Sequence, residues 1–233
     1  NLNKSMISFL EGYDEKCIKE INKNDLPKDL RKQKIDFNEN DFIEIRHIMG
    51  NDKFILKLVM HRETLYIFIM KLVPDYHVLD KHEVDFVSNY LDFELMPFYG
   101  FVKRKEQIVG FIYEFMPNGT LTSCILSSEK QLDEPYLLLI IIRLYQAIQY
   151  LHSRSLIHRD LKPDNILLDD DFLPYISDFE TIRSVQNADS KDNTASKYFS
   201  SPELNGGDNV SFPTDIYSFG KIIFFMFEKK KEI

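Results

Sequence analysis

The chain changes texture near residue 117, and that change constrains its fold more than any other feature. Before it, "DFIEIRHIMG" (41–50), "KFILKLVM" (53–60), "LYIFIMKLV" (65–73) and "QIVGFIYEFM" (107–116) are rich in β-branched and aromatic residues and show little helical period. That is the composition of strands. One helical interruption, "DKHEVDFVSNYL" (80–91), spaces Val84, Val87 and Leu91 for one face. "PNGT" (117–120) then reads as a turn. Beyond it the spacing becomes helical. Asp133 and Pro135 mark a helix start, and Ile140, Leu144, Ala147, Ile148 and Leu151 continue its buried face. "TDIYSFGKIIFFMFEKK" (214–230) reads as a second buried helix, apolar on nearly all sides, and "QNADSKDNTASK" (186–197) as a polar loop. The pattern predicts a strand-rich small lobe followed by a helical large one.

Residues 1–37 stand apart. Ile7, Leu10, Cys17, Ile18 and Ile21 are at mostly helical spacing, and "KNDLPKDLRKQK" (23–34) is charged and broken by Pro. This predicts an extra helix and a linker over residues 1–40, with a possible contact to the main domain or to a partner through residues 1–37. With 44% hydrophobic residues the chain can build a core. A net charge of −8 argues against a nucleic-acid partner. Two distant cysteines, Cys17 and Cys124, argue against a disulfide framework and for a reducing compartment. The longest apolar run, Tyr136 to Ile142, is far short of the roughly 20 residues that span a membrane. The first residues lack the apolar stretch of a secretory signal. A soluble, cytoplasmic protein without a membrane partner is expected.

The chemistry concentrates in "IHRDLKPDN" (157–165), where six charged or polar side chains sit between apolar runs. Such a loop keeps charge-handling groups on a rigid floor. Downstream lie "ISDFETIR" (176–183), "SSPE" (200–203) and "DIYSFG" (215–220). In this order these stretches resemble the catalytic loop, metal-binding turn, activation-segment end and anchoring helix of the eukaryotic protein kinases. The resemblance covers about residues 41–228.

It implies an α+β, two-lobed protein-kinase-like fold. An antiparallel-sheet N-lobe would span about 41–115 and a mainly helical C-lobe about 116–233, left incomplete because the chain stops at Ile233. It further implies transfer of the γ-phosphoryl group of ATP, with Mg²⁺, to a protein hydroxyl. Asp160 would position the substrate hydroxyl and Lys162 would steady the transferred group. A Lys two residues after the Asp resembles the serine/threonine branch. Asn165 and Asp178 would hold Mg²⁺ as hard oxygen ligands. Lys71 would contact the α- and β-phosphates and Glu83 would pair with it, although Asp80 and Glu83 also have the spacing of a helix cap. Glu114 and Met116 would meet the adenine edge, with Tyr113 as gatekeeper and Leu167 beneath the ring. His158 would pack with Phe179. Arg159 would receive a phosphate placed on Ser184, Ser190 or Thr194, and Ser196 would bond to the catalytic Asp.

The sequence also departs from the family. Gly50 is present, but Asp52 and Ile55 stand where the Gly-rich loop has its second and third glycines. A carboxylate about 4 Å from a phosphate costs roughly 1 kcal/mol in water and about 4 at an effective dielectric of 20. Ile69 replaces a small residue above the adenine, and Glu180 replaces the Gly of the metal turn. These departures support the alternative of a pseudokinase or scaffold module. A fragment unable to fold alone is a third reading.

Overall fold

The computed structural model describes residues 35–74, 79–90, 95–127, 132–187, 198–206 and 210–230. Residues 1–34 of the helix and linker predicted over 1–40, and Ser190, Thr194 and Ser196, lie outside them. The chain divides into two compact units, Asn1–Leu79 with Pro97–Pro117, and Asp80–Met96 with Asn118–Ile233.

The first unit is a six-stranded sheet. Its strands are β1 (Ile35–Asn38), β2 (Phe42–Gly50), β3 (Ile55–His61), β4 (Ile67–Leu72), β5 (Phe98–Arg104) and β6 (Gln107–Glu114), in the order β1-β5-β6-β4-β3-β2. All pairs are antiparallel except β1 with β5. Alternation divides its apolar residues between two faces. Phe42, Val59, Phe68, Met70, Leu72, Tyr99, Val102 and Ile112 form one cluster. Ile43, Leu58, Met60 and Ile67 form the other, with Ile45, Ile69 and Phe115 packed against it.

The sheet begins earlier than the expected boundary at residue 41. β1 lies against β5 so closely that a Cβ on Gly100 would sit 1.8 Å from the Ile35 carbonyl oxygen. Glycine is therefore a steric requirement there. Two ion pairs fasten the same edge, Lys103 to Asp36 and Arg104 to Glu39, each at 2.6 Å. The Asp36 bond holds the Lys103 ammonium above its ordinary pKa.

The second unit is mainly helical: α1 (Lys81–Asn89), α2 (Leu121–Ile125), α3 (Glu134–Ser153), α4 (Pro202–Gly206) and α5 (Phe212–Lys230). Between them run short strands β7 (Gly119–Thr120), β8 (Leu156–Ile157), β9 (Ile166–Leu168), β10 (Pro174–Ile176) and β11 (Arg183–Ser184). β9 pairs with both β10 and β7, and β8 pairs with β11. Asp133 is the N-cap of α3, and Leu137, Ile140, Leu144, Ala147, Ile148 and Leu151 form its buried face. α5 is apolar on nearly all sides but is not buried on all of them. It buries Thr214, Asp215, Ser218, Ile222 and Met226, while Ile216, Tyr217, Phe224 and Phe227 are exposed. The apolar residues of a helix do not by themselves say how much cover each side receives. No helix among the described residues is long and apolar enough to cross a membrane.

Candidate active site

The charged loop is built outward from α5. The N–H groups of His158 and Arg159 each donate to the Asp215 carboxylate at 2.9 Å. His152 Nε2 also lies 2.9 Å from that carboxylate. Asp215 is fully buried, so these donors replace its lost hydration. Arg159 takes the left-handed conformation, φ 73°, which a non-glycine residue adopts only when its surroundings impose it. The Asp215 carboxylate supplies that constraint.

Asp160 follows immediately and is 6% exposed. Lys162 Nζ donates to its Oδ2 at 2.6 Å, and Asn165 Nδ2 donates to the same oxygen at 3.0 Å and to the Asp160 carbonyl at 2.9 Å. One carboxylate oxygen therefore faces a cation and an amide. The β9–β10 hairpin extends the cluster. Its register pairs Ile166 with Ile176, so Asn165 and Ser177 flank the same end. The Asn165 carbonyl accepts from the Ser177 N–H at 2.9 Å and from its hydroxyl at 3.1 Å. Asp178 is the next residue, in left-handed conformation (φ 64°, ψ 76°).

The segment after Asp178 answers the question raised by Glu180. Phe179–Thr181 form a 3-10 turn, and Glu180 has a negative φ, so no glycine is needed there. Asp178 carries the positive φ instead, which Asp tolerates better than most residues. Thr181 Oγ1 donates to the His158 carbonyl at 2.7 Å. Arg183 donates to the carbonyls of Glu180 at 2.6 Å and Ile182 at 2.8 Å. Phe179 is buried with its ring 4.7 Å from that of Phe86 on α1. His158 Nε2 lies 3.1 Å from the Ser177 carbonyl, while its buried Nδ1 has no hydrogen-bond partner. Ser184 lies on β11, partly buried.

The remaining expected residues divide between the units. Lys71 is on β4, 7% exposed, opposite Leu56 on β3 and Phe111 on β6. Ile69 shares its face, opposite Leu58 and Tyr113. Glu114 ends β6, its N–H donating to the Pro97 carbonyl at 3.0 Å, and Met116 is buried just beyond. In the second unit Glu83 is buried on α1. The Asp80 side chain caps that helix, accepting from the N–H of His82 at 2.7 Å and of Glu83 at 3.1 Å. Leu167 lies on β9, opposite Tyr175 and Thr120.

The loop around Gly50 departs from a Gly-rich loop more than the sequence alone indicates. Gly50 pairs with Ile55, leaving a four-residue turn, 51–54. Asn51 Oδ1 accepts from the N–H of Lys53 at 2.8 Å and of Phe54 at 3.0 Å. The Asn51 N–H donates to the Phe54 carbonyl at 2.9 Å. Asp52 is exposed at the tip.

Sequence reasoning missed the roles of Asp215, Asn51 and Asn118. Asp215 acts on residues 56 and 57 positions away, a distance no periodicity reveals. Asn51 had a local signal, since Asn readily bonds the backbone two residues on. Asn118 is buried and donates to the Asp169 carbonyl at 2.6 Å, tying the start of the second unit to the β9–β10 turn. Burial raises the pKa of Asp169 itself, although the Leu173 and Asp171 N–H groups pull it down.

Among the described residues no three His, Cys, Asp or Glu side chains gather as a metal site. The Asn165 and Asp178 side-chain oxygens instead suit a cation that keeps water and takes phosphate oxygens, as Mg²⁺ does.

A six-stranded sheet unit and a mainly helical unit that carries this charged loop fit a two-lobed protein-kinase fold. The protein kinase domain model matches residues 49–232, and the chain belongs to the protein kinase family. Cysteine-rich receptor-like protein kinase 45 of Arabidopsis thaliana is 33% identical over 159 residues, 64% of this chain and 45% of that protein. The Dictyostelium discoideum protein named "Probable serine/threonine-protein kinase mkcF" is 37% identical over 119 residues, 51% of this chain and 17% of its own. Mitogen-activated protein kinase kinase kinase mkh1 of Cytospora mali is 30% identical over 155 residues, 64% of this chain and 8% of its own. The chain thus spans less than half the length of these relatives.

Proposed function

We propose that this chain is a serine/threonine protein kinase domain that transfers the γ-phosphoryl group of ATP to a protein hydroxyl in the cytoplasm. The observation that carries the reading is the cluster of buried Asp160 and Asn165 with half-buried Lys162, joined through Ser177 to Asp178. Asp160 accepts the hydrogen bond of the incoming hydroxyl and aims it for in-line attack. Lys162 now neutralises Asp160 at 2.6 Å and turns toward the phosphoryl group as charge develops there. Asn165 and Asp178 would hold Mg²⁺, which supplies charge neutralisation between the phosphates. By the family resemblance Lys71 would contact the α- and β-phosphates, Glu114 and Met116 would present backbone groups to the adenine, and Leu167 would serve as the apolar floor of the ring. The Lys162 position and a relative named as a probable serine/threonine-protein kinase support a Ser/Thr acceptor.

The test is phosphoryl transfer from γ-labelled ATP to a mixed Ser/Thr peptide library. The reading expects incorporation by the native chain and loss of it in Asp160→Asn with ATP binding retained. Equal incorporation by both would refute the role of Asp160. One observation favours a second reading, a binding module without useful turnover: the 51–54 turn has its amides engaged by Asn51. In that case the native chain would transfer no phosphate.

A further inference from the structure

The 51–54 turn sits where the protein kinase fold places its phosphate-covering loop, yet it has little left to offer a phosphate. A Gly-rich loop works through free backbone N–H groups and the absence of side chains. Here the N–H groups of Lys53 and Phe54 are both given to Asn51 Oδ1, at 2.8 and 3.0 Å. The glycine that remains is not required by the backbone. Gly50 has no positive φ, and a Cβ there would meet only ordinary contacts at 3.4 Å or more.

What the turn does instead follows from Phe54. Its N–H donates to the Asn51 side chain, and its carbonyl accepts from the Asn51 N–H at 2.9 Å. Both backbone polar groups of Phe54 are therefore closed on one residue, which fixes the direction of its side chain. That side chain reaches the face of the sheet carrying Lys71. The Lys71 ammonium lies 5.4 Å from the centroid of the Phe54 ring and 5.9 Å from that of Phe111. Both distances fall inside the range over which a cation is drawn to a ring face. Phe111 is directly opposite Lys71 on β6 and belongs to the rigid sheet. Phe54 is the member that the turn supplies. An unbranched side chain with about 2 kcal/mol of rotamer entropy is thereby held between two rings.

We propose that the turn serves the site as an aromatic clamp on Lys71 and not as a phosphate cradle, with Phe54 a positioning residue that holds the ammonium ready for the nucleotide phosphates. The inference rests on the reading of Lys71 as a phosphate contact. Asn51 is the part that aims the clamp.

Two readouts separate the clamp from the reading beneath it. The first needs no nucleotide: the rate at which N-hydroxysuccinimide acetate acylates Lys71, relative to exposed Lys53, followed by peptide mass spectrometry on the full chain. The second is the Kd for ATP with Mg²⁺. Phe54→Leu should let Lys71 react at least threefold faster and weaken ATP binding about fivefold, inside the range of a lost cation–π contact. Phe54→Tyr, which keeps a ring, should match the native chain in both. Asn51→Gly should fall between them. Unchanged Lys71 acylation in Phe54→Leu would overturn the clamp, whatever the nucleotide does. Faster acylation with unaltered ATP affinity would overturn the positioning role. Tighter ATP binding by Asn51→Gly with native Lys71 reactivity would show that the turn acts through its amides, and would overturn the proposal as well. If acylation responds as expected but the native chain binds no ATP, the nucleotide reading falls, and the role assigned to Phe54 falls with it.

Discussion

Replacing Asp215 by Asn should loosen the charged 157–165 loop while leaving α5 intact. The native carboxylate serves three donors: Oδ1 takes the Arg159 N–H, and Oδ2 takes the His158 N–H and faces His152 Nε2. Asn has one oxygen. In its better orientation that oxygen replaces Oδ2, and its NH₂ then points at the Arg159 N–H. One buried donor is left unsatisfied, which costs about 1–3 kcal/mol. The surviving bonds lose their charge assistance and roughly half their strength, about 1 kcal/mol more. The sum, about 2–4 kcal/mol, is a sizeable part of the 5–15 kcal/mol that holds a typical domain together. The released group is Arg159, whose φ of 73° is unfavourable without that bond. Asp160, one residue on, should lose its fixed position. Urea unfolding of both chains measures the first effect as a fall in midpoint. Amide hydrogen exchange at His158 and Arg159 measures the second as lost protection. A midpoint shift worth less than about 0.5 kcal/mol, with both amides still protected, would refute the view that Asp215 holds the loop.

Three further outcomes follow from the geometry. Gly100→Ala places a Cβ 1.8 Å from the Ile35 carbonyl and should cost about 1–3 kcal/mol as β1 is pushed off β5; native protection of the residue 35–38 amides in that variant would contradict the assigned contact. Asp169 has a raised pKa because burial disfavours its charge, beside the carboxylates of Asp170 and Asp171. The folded state thus binds this proton more tightly than the unfolded one, and ionisation lowers stability as pH rises from the ordinary carboxylate value through the raised one. Asp169→Asn should therefore melt higher than the native chain at pH 7, with the gap closing below the ordinary carboxylate range, and a gap independent of pH would count against burial as the cause. Asp52 is exposed, so Asp52→Gly should tighten ATP binding by no more than about fivefold, the water-like limit of a charge pair at 4 Å; calorimetric titration reads this, and a change of a hundredfold would mean the carboxylate points at the phosphates.

How much of this was legible in the sequence depends on the range of each interaction. β4, β6, α1 and α3 follow from local period and composition, and the structure places them where "LYIFIMKLV", "QIVGFIYEFM", "DKHEVDFV" and the Asp133 cap put them. The grouping of Asp160, Lys162 and Asn165 was legible because all three fall within six residues of one loop. Three things were not. β1 is written in the first residues after a charged, Pro-broken stretch, and what seats it is the missing side chain of Gly100, 65 positions after Ile35. The 51–54 turn looked like a damaged Gly-rich loop because a motif compares residue identities and is blind to the Asn51 bonds that close it. Glu180 looked like an obstacle because the family's glycine suggests a positive φ there; in this turn the positive φ lies two residues earlier, at Asp178.

If the residues proposed for the site hold a magnesium-bound nucleoside triphosphate, the melting temperature of the chain with ATP, with and without Mg²⁺, will report it. The expected stabilisation needs both, reaches about 2.7 kcal/mol when ATP is a hundred times its Kd, and is lost in Asp178→Asn. An unchanged melting temperature at millimolar ATP and Mg²⁺ would contradict it.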